Sequence, residues 1–455
     1  MIRDISLESG EPVLSTPVPI QRLVNLLEPT SNILLNFSQV EAEDAVRSGD
    51  PKLVRKIDGQ FAIVQKQDSL VRMARSIGRP MRYFLAKKVD GPCLVVAERI
   101  DEISEYLKTE KLENQFHPSY TRMVPAHYLV EIALVGCPDP NPSYERFFTP
   151  IRNQLPSDTD EIGRAYIGAL IAECERWLDH IESEAPIGVL FSGGVDSGSI
   201  FLVLYWLLLQ RGESPARLKA FTLSVDGTSS DADQAMHFLD SLGLAMFLEI
   251  IEMGSEDIDY HEAVRVIEDY KTLDVQSASM ALALCRGIRA RYPDLIYLVD
   301  GDGGDENLKD YPIEDSHDLT IRSVLNNTLL YQEGWGVDAV KHSLTYSGGQ
   351  SRGHVRSYAP ARVFGFQGFS PYALPNVIGI AESIPFVELT EWSEQRLYDL
   401  KGDIVQKGIK AKTGIAMPLF EKRRFQHGAM DSVLLRSLLP PSEVVYRTAF
   451  HNLYD

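Results

Sequence analysis

Residues 187–201 read IGVLFSGGVDSGSIF. The apolar run 187–191, ending at Phe191, predicts a buried parallel strand. It leads straight into Ser192-Gly193-Gly194-Val195-Asp196-Ser197, and an apolar segment over 200–209 predicts a helix. Strand, glycine turn and helix N-terminus together form an anion site. Glycines let the backbone approach a phosphate closely. The unpaired N–H groups of a first helical turn point at it, and the helix dipole favours its charge. Ser192 and Ser197 add hydroxyl donors. Asp196 would repel a bare phosphate, so a carboxylate here calls for a bridging cation. Mg²⁺ fits, because it prefers one or two carboxylates together with phosphate oxygens and water.

The hexapeptide SGGVDS resembles the pyrophosphate-binding loop, SGGxDS, of ATP pyrophosphatases that activate a substrate by adenylation. The Walker pattern GxxxxGK[ST] is absent. The bland alternative is a Gly-Ser turn between a strand and a core helix.

Composition narrows the classes. At 455 residues, two or three domains with substantial cores are expected. The formal charge is −19, from 45 Lys+Arg against 64 Asp+Glu, which argues against general binding of nucleic acid or anionic membrane. Cys93, Cys137, Cys174 and Cys285 are scattered without metal-ligand spacing, so buried reduced thiols and a cytoplasmic location are expected. No signal-peptide pattern opens the sequence. The longest apolar run, near 200–209, is too short to span a bilayer and suits a central helix.

Up to about residue 150, short apolar runs at 61–64, 81–85, 93–97 and 127–130 predict strands of a small β-rich or α+β domain. Turn-rich, polar stretches at 138–142 and 153–160 mark the boundary. A helix is expected near 160–184, with Ile162, Tyr166, Leu170, Cys174, Trp177 and Ile181 on one face. Strands at 220–225, 246–251 and 295–300 then alternate with helices near 231–242 and 277–290. That alternation predicts a doubly wound parallel sheet, whose ligands sit at the carboxyl ends of its strands. The segment beyond 310 reads as more helical and irregular.

A second glycine cluster, DGDGGDE at 300–306, follows the last of those strands. Taken alone it is a polar loop that caps a helix. At the end of a strand in the same sheet, Asp305 can join Asp196 on one Mg²⁺. A basic run, EKRRFQHGAM at 421–430, is either a solvated charge cluster or the source of a cation, Lys422, for charge developing in phosphoryl or acyl-adenylate chemistry.

Together these segments resemble the synthetase domain of the class B asparagine synthetase superfamily. SGGVDS resembles its pyrophosphate loop, DGDGGDE its SGEGADE-type loop, and Lys422 the lysine of its RxKxxF-type segment. Residues 422–429 also resemble a KLGVHEGS-type segment of β-lactam synthetase. IDGQFA at 57–62 resembles LDGxFA, ARSIGRPMRY at 74–83 resembles RDxxGxxPLYY, and AERIDEI at 97–103 resembles ASEIKAL. VPAHYL at 124–129 resembles LPPGHYL. The resemblance runs over about 55–430. It implies an N-terminal Ntn-amidohydrolase-like α+β domain over 1–150 and an ATP-dependent synthetase domain over 155–455. By the same resemblance ATP lies against Phe191, Ser192, Gly193, Gly194, Asp196 and Ser197. Leu223 and Val225 lie beside the adenine, and Asp300 and Gly301 beside the ribose and α-phosphate.

Two departures qualify this picture. Glutamine-hydrolysing members begin Met-Cys-Gly, whereas this sequence begins Met1-Ile2-Arg3 and its first cysteine is Cys93. A degenerate, structural N-terminal domain without glutaminase chemistry is therefore expected. The family also places a Glu shortly before its PFLD-type segment, where this sequence has Gln367, which is no base at neutral pH. Tyr358 is a candidate substitute, and core packing is its plainer role.

The expected reaction is ATP-dependent amide formation on a small-molecule or peptide carboxylate. The acceptor is ammonia, an amine delivered by a separate protein, or an amine within the substrate. The last case would make the protein a cyclase of β-lactam synthetase or lasso-peptide type. A tRNA-modifying adenylating enzyme and a catalytically inactive homologue are the remaining alternatives.

Overall fold

Alternating apolar residues and tight turns build the N-terminal half. The computed structural model describes residues 22–87, 93–133, 142–227, 229–310, 313, 320–327, 354–420, 428–430 and 432–454. Its first strands are β1 (Arg22–Asn25), β2 (Ile33–Leu34), β3 (Gly59–Gln60), β4 (Ala62–Gln67), β5 (Leu70–Arg75), β6 (Arg82–Ala86), β7 (Cys93–Ala97), β8 (Arg122–Met123), β9 (Tyr128–Ala133) and β10 (Ser143–Arg146). They form two four-stranded sheets, in the orders β1-β7-β6-β8 and β10-β9-β5-β4, and a short β2-β3 ladder. The inner faces meet through Val64, Val71 and Met73 on one side and Tyr83, Leu94 and Val96 on the other. The outer faces are covered by helices. Helix α1 (Gln39–Ser48) packs Ala42 and Val46 on Ile63 and Ala74. Helix α2 (Ile100–Thr109) packs Ile103 and Leu107 on Phe84 and Val95. The layers are therefore helix, sheet, sheet, helix, in keeping with the α+β expectation. The predicted strand at 127–130 starts one residue later, because His127 adopts φ 63° and ends the turn before β9.

The C-terminal half is organised by one parallel sheet. Its strands are β11 (Ile187–Leu190), β12 (Leu218–Val225), β13 (Leu248–Met253), β14 (Tyr297–Val299) and β15 (Gln367–Phe369), in the spatial order β13-β12-β11-β14-β15. Every neighbouring pair is parallel. Alternate residues point to opposite faces. On β12, Leu218 and Ala220 join a core with α3 (Thr159–His180), α4 (Val195–Gln210) and α5 (Ser230–Asp240). Phe221, Leu223 and Val225 join a second core with Met280, Leu284 and Ile288 of α6 (Thr272–Arg291). Strand order reverses between β11 and β14, and such a reversal opens a crevice at the carboxyl ends of the two strands.

Three expectations need adjustment. The helix predicted over 200–209 begins at Val195, because Val195 to Ser199 form its first turn directly on the glycine loop. The strand predicted over 246–251 runs over Leu248–Met253, since Ala245–Phe247 make a 3₁₀ turn. The region after 310 contributes a fifth strand, β15, at the sheet edge.

Helix α8 (Glu394–Thr413) crosses α3 at a glycine pair. A Cβ on Gly163 would lie 2.6 Å from the Ile404 carbonyl oxygen, and one on Gly408 2.3 Å from that of Gly163. Only glycines permit this approach, and it holds α8 close over the crevice.

The two halves are joined by charge as well as apolar contact. Glu268, from the C-terminal half, accepts from the backbone N–H groups of Ile100 (2.8 Å) and Asp101 (2.9 Å) at the start of α2. A carboxylate is favoured at that positive helix end. Glu98 is shared between Arg79 of the N-terminal half (3.3 Å) and Arg362 (2.7 Å).

Candidate functional site

Both glycine clusters lie where the strand order reverses. SGGVDS leaves the carboxyl end of β11, and DGDGGDE leaves that of β14. Gly193 takes φ +72°. The Ser192 N–H donates to Ser197 Oγ (3.2 Å), and the Gly194 N–H donates to Ser192 Oγ (3.3 Å). The hydroxyls of Ser192 and Ser197 lie 3.2 Å apart. The loop is thus folded back on the first turn of α4, with serine hydroxyls and backbone N–H groups gathered at one helix N-terminus, the arrangement an anion requires.

The two loops press together. A Cβ on Gly301 would lie 2.8 Å from the Asp196 carbonyl carbon and 2.8 Å from the Ser197 nitrogen. A Cβ on Gly304 would fall 2.2 Å from Asp196 Oδ1. Glycine at these positions lets the second loop slide against the start of α4, and this brings Asp305, in the short helix α7 (Gly304–Leu308), towards Asp196.

Between those carboxylates sits the Lys401 ammonium, carried by α8. Lys401 Nζ lies 2.6 Å from Asp196 Oδ2 and 3.3 Å from Asp310 Oδ2, and it also bonds Asp305. Its side chain is 5% exposed. Burial alone would lower the lysine pKa, but Asp196, Asp305 and Asp310 outweigh it and hold the ammonium well above its ordinary value. The sequence did offer a signal for this residue. Leu397, Leu400, Ile404 and Val405 form the buried stripe of α8, and Lys401 falls within it.

Asp300 closes the crevice floor. Its carboxylate accepts from the Asp302 N–H (3.0 Å) and from Ser370 Oγ (3.0 Å), at the carboxyl end of β15. Burial, and then the neighbouring charge of Asp302, push its pKa well above the carboxylate range. Asp302 also accepts from the Ser357 hydroxyl. Arg356 pairs with Asp274 (3.3 Å). Burial would lower its pKa, but Asp274, Glu306, Asp302 and Asp305 raise it, so one guanidinium serves an acidic rim.

Leu223 and Val225 lie buried at the carboxyl half of β12. Val225 N–H donates to the Ala429 carbonyl (3.1 Å), so the residues just after the basic run are anchored at this strand end. Lys422 itself lies outside the described residues. Phe191 is buried against Phe201 and Phe238.

Two candidates are not brought to the crevice. Gln367 opens β15, exposed, with its N–H bonded to the Ile296 carbonyl (2.8 Å). It therefore sits at the amino ends of the strands, whereas the loops leave the carboxyl ends. A motif offset fixes position along the chain but not which end of a strand a residue occupies. The Tyr358 hydroxyl is buried among Arg79 (3.1 Å) and Arg362 (3.3 Å), in the ion-pair network joining the two halves. It is a packing and bridging residue.

Asp196 and Asp305 converge on one cationic point, and their hard oxygens are the donor set Mg²⁺ favours when phosphates complete its shell. Among the described residues no group of three or more His, Cys, Asp or Glu is arranged to hold a metal by itself. A two-carboxylate site fits an ion that arrives with its phosphates. No helix among the described residues is long and apolar enough to cross a membrane.

Residues 178–355 match the family model described as asparagine synthase. The match contains both glycine loops and ends before β15 and Lys401. It supports a place in the asparagine synthetase superfamily and, with it, an ATP-dependent amide-forming ligase. No curated protein matches the chain.

Proposed function

We propose that this protein adenylates a substrate carboxylate with ATP, releases pyrophosphate and passes the acyl group to ammonia or an amine. The observation that carries the reading is the meeting of two glycine loops at the strand-order reversal, with Asp196 and Asp305 converging there. In this reading 155–455 is a doubly wound adenylating domain. Residues 1–150 form an Ntn-like structural domain, a role supported by the helix–sheet–sheet–helix layering.

The carboxylate oxygen attacks the α-phosphorus, because an ionised carboxylate is too unreactive for direct aminolysis. Ser192, Gly193, Gly194 and Ser197 hold the departing pyrophosphate through hydroxyl and backbone N–H donors. Asp196 and Asp305 would hold Mg²⁺, which when bound shields the phosphate charge. Leu223 and Val225 offer an apolar wall for the adenine, and Asp300 and Gly301 line the ribose side. The amine then attacks the acyl carbon and AMP leaves. Holding both reactants in one crevice supplies much of the acceleration. Gln367 is too far round the sheet to take the amine's proton. Asp302, at the carboxyl ends of the strands beside Asp300 and Ser357, is the proposed acceptor in its place. Lys422 belongs to this scheme as the cation for the tetrahedral intermediate.

The described cysteines Cys93, Cys174 and Cys285 are all buried. Burial pushes the Cys285 thiol up to about 12 and Cys174 further still, which disfavours a thiolate nucleophile at those two positions. In this reading the nitrogen is free ammonia, an amine brought by a partner, or one within the substrate, and the enzyme is cytoplasmic without nucleic-acid or membrane partners. The test is pyrophosphate release from Mg²⁺-ATP across a panel of carboxylates, with and without ammonia or glutamine, and with Asp196→Ala as control. Release with aspartate that needs ammonia and ignores glutamine marks an asparagine-forming enzyme. Release with a carboxylate carrying its own amine marks a cyclase. Failure to bind Mg²⁺-ATP at all removes the adenylation reading.

A further inference from the structure

The buried lysines of this protein are paired in different ways. Lys309, for example, pairs with Glu382 at 2.6 Å. Lys401 instead meets three, Asp196, Asp305 and Asp310, and two of these are the carboxylates assigned to the metal. Its ammonium is the stand-in cation at that point. An ammonium donates hydrogen bonds to oxygens in the place where a divalent ion would accept their lone pairs, and both cannot use the same oxygens. Lys401 arrives on a rigid scaffold, since α8 is fixed by the Gly163–Gly408 crossing, while its four-carbon stem can swing the charge.

We propose that Lys401 holds the metal carboxylates in the nucleotide-free protein and exchanges with the divalent ion when nucleotide phosphates arrive. Entry of the ion onto Asp196 and Asp305 releases the ammonium, whose next partner is phosphate oxygen. The exchange keeps each charge matched, and it ties metal affinity to nucleotide affinity reciprocally. This inference rests on the adenylation reading of the crevice. Its consequence is that the divalent ion alone binds poorly. If the state with Lys401 swung away is about a tenth populated or less, the apparent dissociation constant for the ion is raised about tenfold or more.

The test is a Mn²⁺ titration of the full chain without nucleotide, following unbound Mn²⁺ by electron paramagnetic resonance. Lys401→Met keeps the length of the side chain and removes its charge, and it should bind Mn²⁺ about tenfold or more tighter than wild type. Adding Asp305→Ala to that variant should abolish the gain. Asp310→Asn leaves both metal carboxylates in place and removes one partner of Lys401. It should tighten Mn²⁺ binding in the same direction, and it decides the matter if Lys401→Met does not fold. Equal Mn²⁺ affinity in wild type and the folded variants overturns the exchange. Because the titration needs no substrate, a wild type that releases pyrophosphate but shows no such difference would lose only this inference.

Discussion

Replacing Gly301 with alanine tests whether the crevice depends on the two loops touching. The added Cβ would sit 2.8 Å from two backbone atoms of the α4 start, the Asp196 carbonyl carbon and the Ser197 nitrogen, where ordinary contact begins at 3.4 Å. The loops must therefore part by the difference, about 0.6 Å, and neither neighbour is a flexible side-chain tip. One side is the first turn of a helix buried in the main core, and the other continues β14. Overpacking of this kind costs about 1–3 kcal/mol of stability. The functional loss should be larger in proportion. Asp196 and the Ser197 hydroxyl move away from the second loop, and a misplacement approaching 1 Å costs on the order of 10²-fold in a positioned site. We expect Mg²⁺-ATP affinity, read by titration with a fluorescent nucleotide, to fall by roughly ten- to a hundredfold. Gly379→Ala is the control, because a Cβ there meets nothing within 4 Å and the residue lies inside a helix. It should leave affinity unchanged and raise stability by up to ~1 kcal/mol. A folded Gly301→Ala protein that binds Mg²⁺-ATP within about twofold of wild type would refute the reasoning.

Two further outcomes follow from buried charges away from the crevice. Lys309 and Glu382 are 0% and 1% exposed, so Lys309→Met leaves a carboxylate inside the protein with, among the described residues, only Arg152, at 3.4 Å, to balance it. Urea denaturation should show a loss of about 3–5 kcal/mol, and a loss below about 1 kcal/mol would mean that Arg152 suffices. His127 is fully buried, and burial first, then the charges of Arg75, Arg146 and Arg55, hold its pKa well below 6.5. Its folded-state pKa is depressed, so it contributes stability above 6.5 that is lost as pH falls and the unfolded chain takes up the proton. His127→Asn, which tolerates the positive φ, should lose less stability than wild type between about pH 7 and pH 5, and parallel stability profiles would exclude this role.

Most of the scaffold was legible because burial imposes periodicity. The strand at 187–190 is an apolar run, that at 218–225 puts Leu218, Ala220, Phe221, Leu223 and Val225 into the cores on its two faces, and α3 carries a stripe at three- and four-residue steps. Edge strand β15 was not legible. Its three residues, Gln367 to Phe369, include a glycine and show no alternation, and only pairing with β14 makes them a strand. The same gap misled the reading of Gln367, whose chemistry was judged before its end of the strand was known. The glycine loops were legible because backbone approach restricts residue type so tightly. The partner of their carboxylates was not, since Lys401 lies 205 residues from Asp196 and tertiary packing of α8 on α3 and α4 unites them. A lysine inside an apolar helical stripe was the one available sign.

In the adenylation reading an acidic chain must bind a polyanion, an electrostatic problem to which the charges of the crevice offer an answer. Within the cluster around Lys401, three carboxylates and one ammonium leave two negative charges. Burial raises the Asp300 pKa and so disfavours a further charge there, and Arg356 is already shared among Asp274, Asp302, Asp305 and Glu306. Bare triphosphate would therefore meet repulsion at the very carboxylates that flank its binding loop. A divalent ion on Asp196 and Asp305 offsets their two charges while the released Lys401 ammonium turns to phosphate, and the helix N-terminus and serine hydroxyls are then less opposed. In that reading the acidic residues that make the loop a poor phosphate site on its own make it selective for phosphate accompanied by a divalent cation. In this reading Asp196, placed inside the loop at apparent electrostatic cost, is the residue that makes nucleotide binding conditional on the metal.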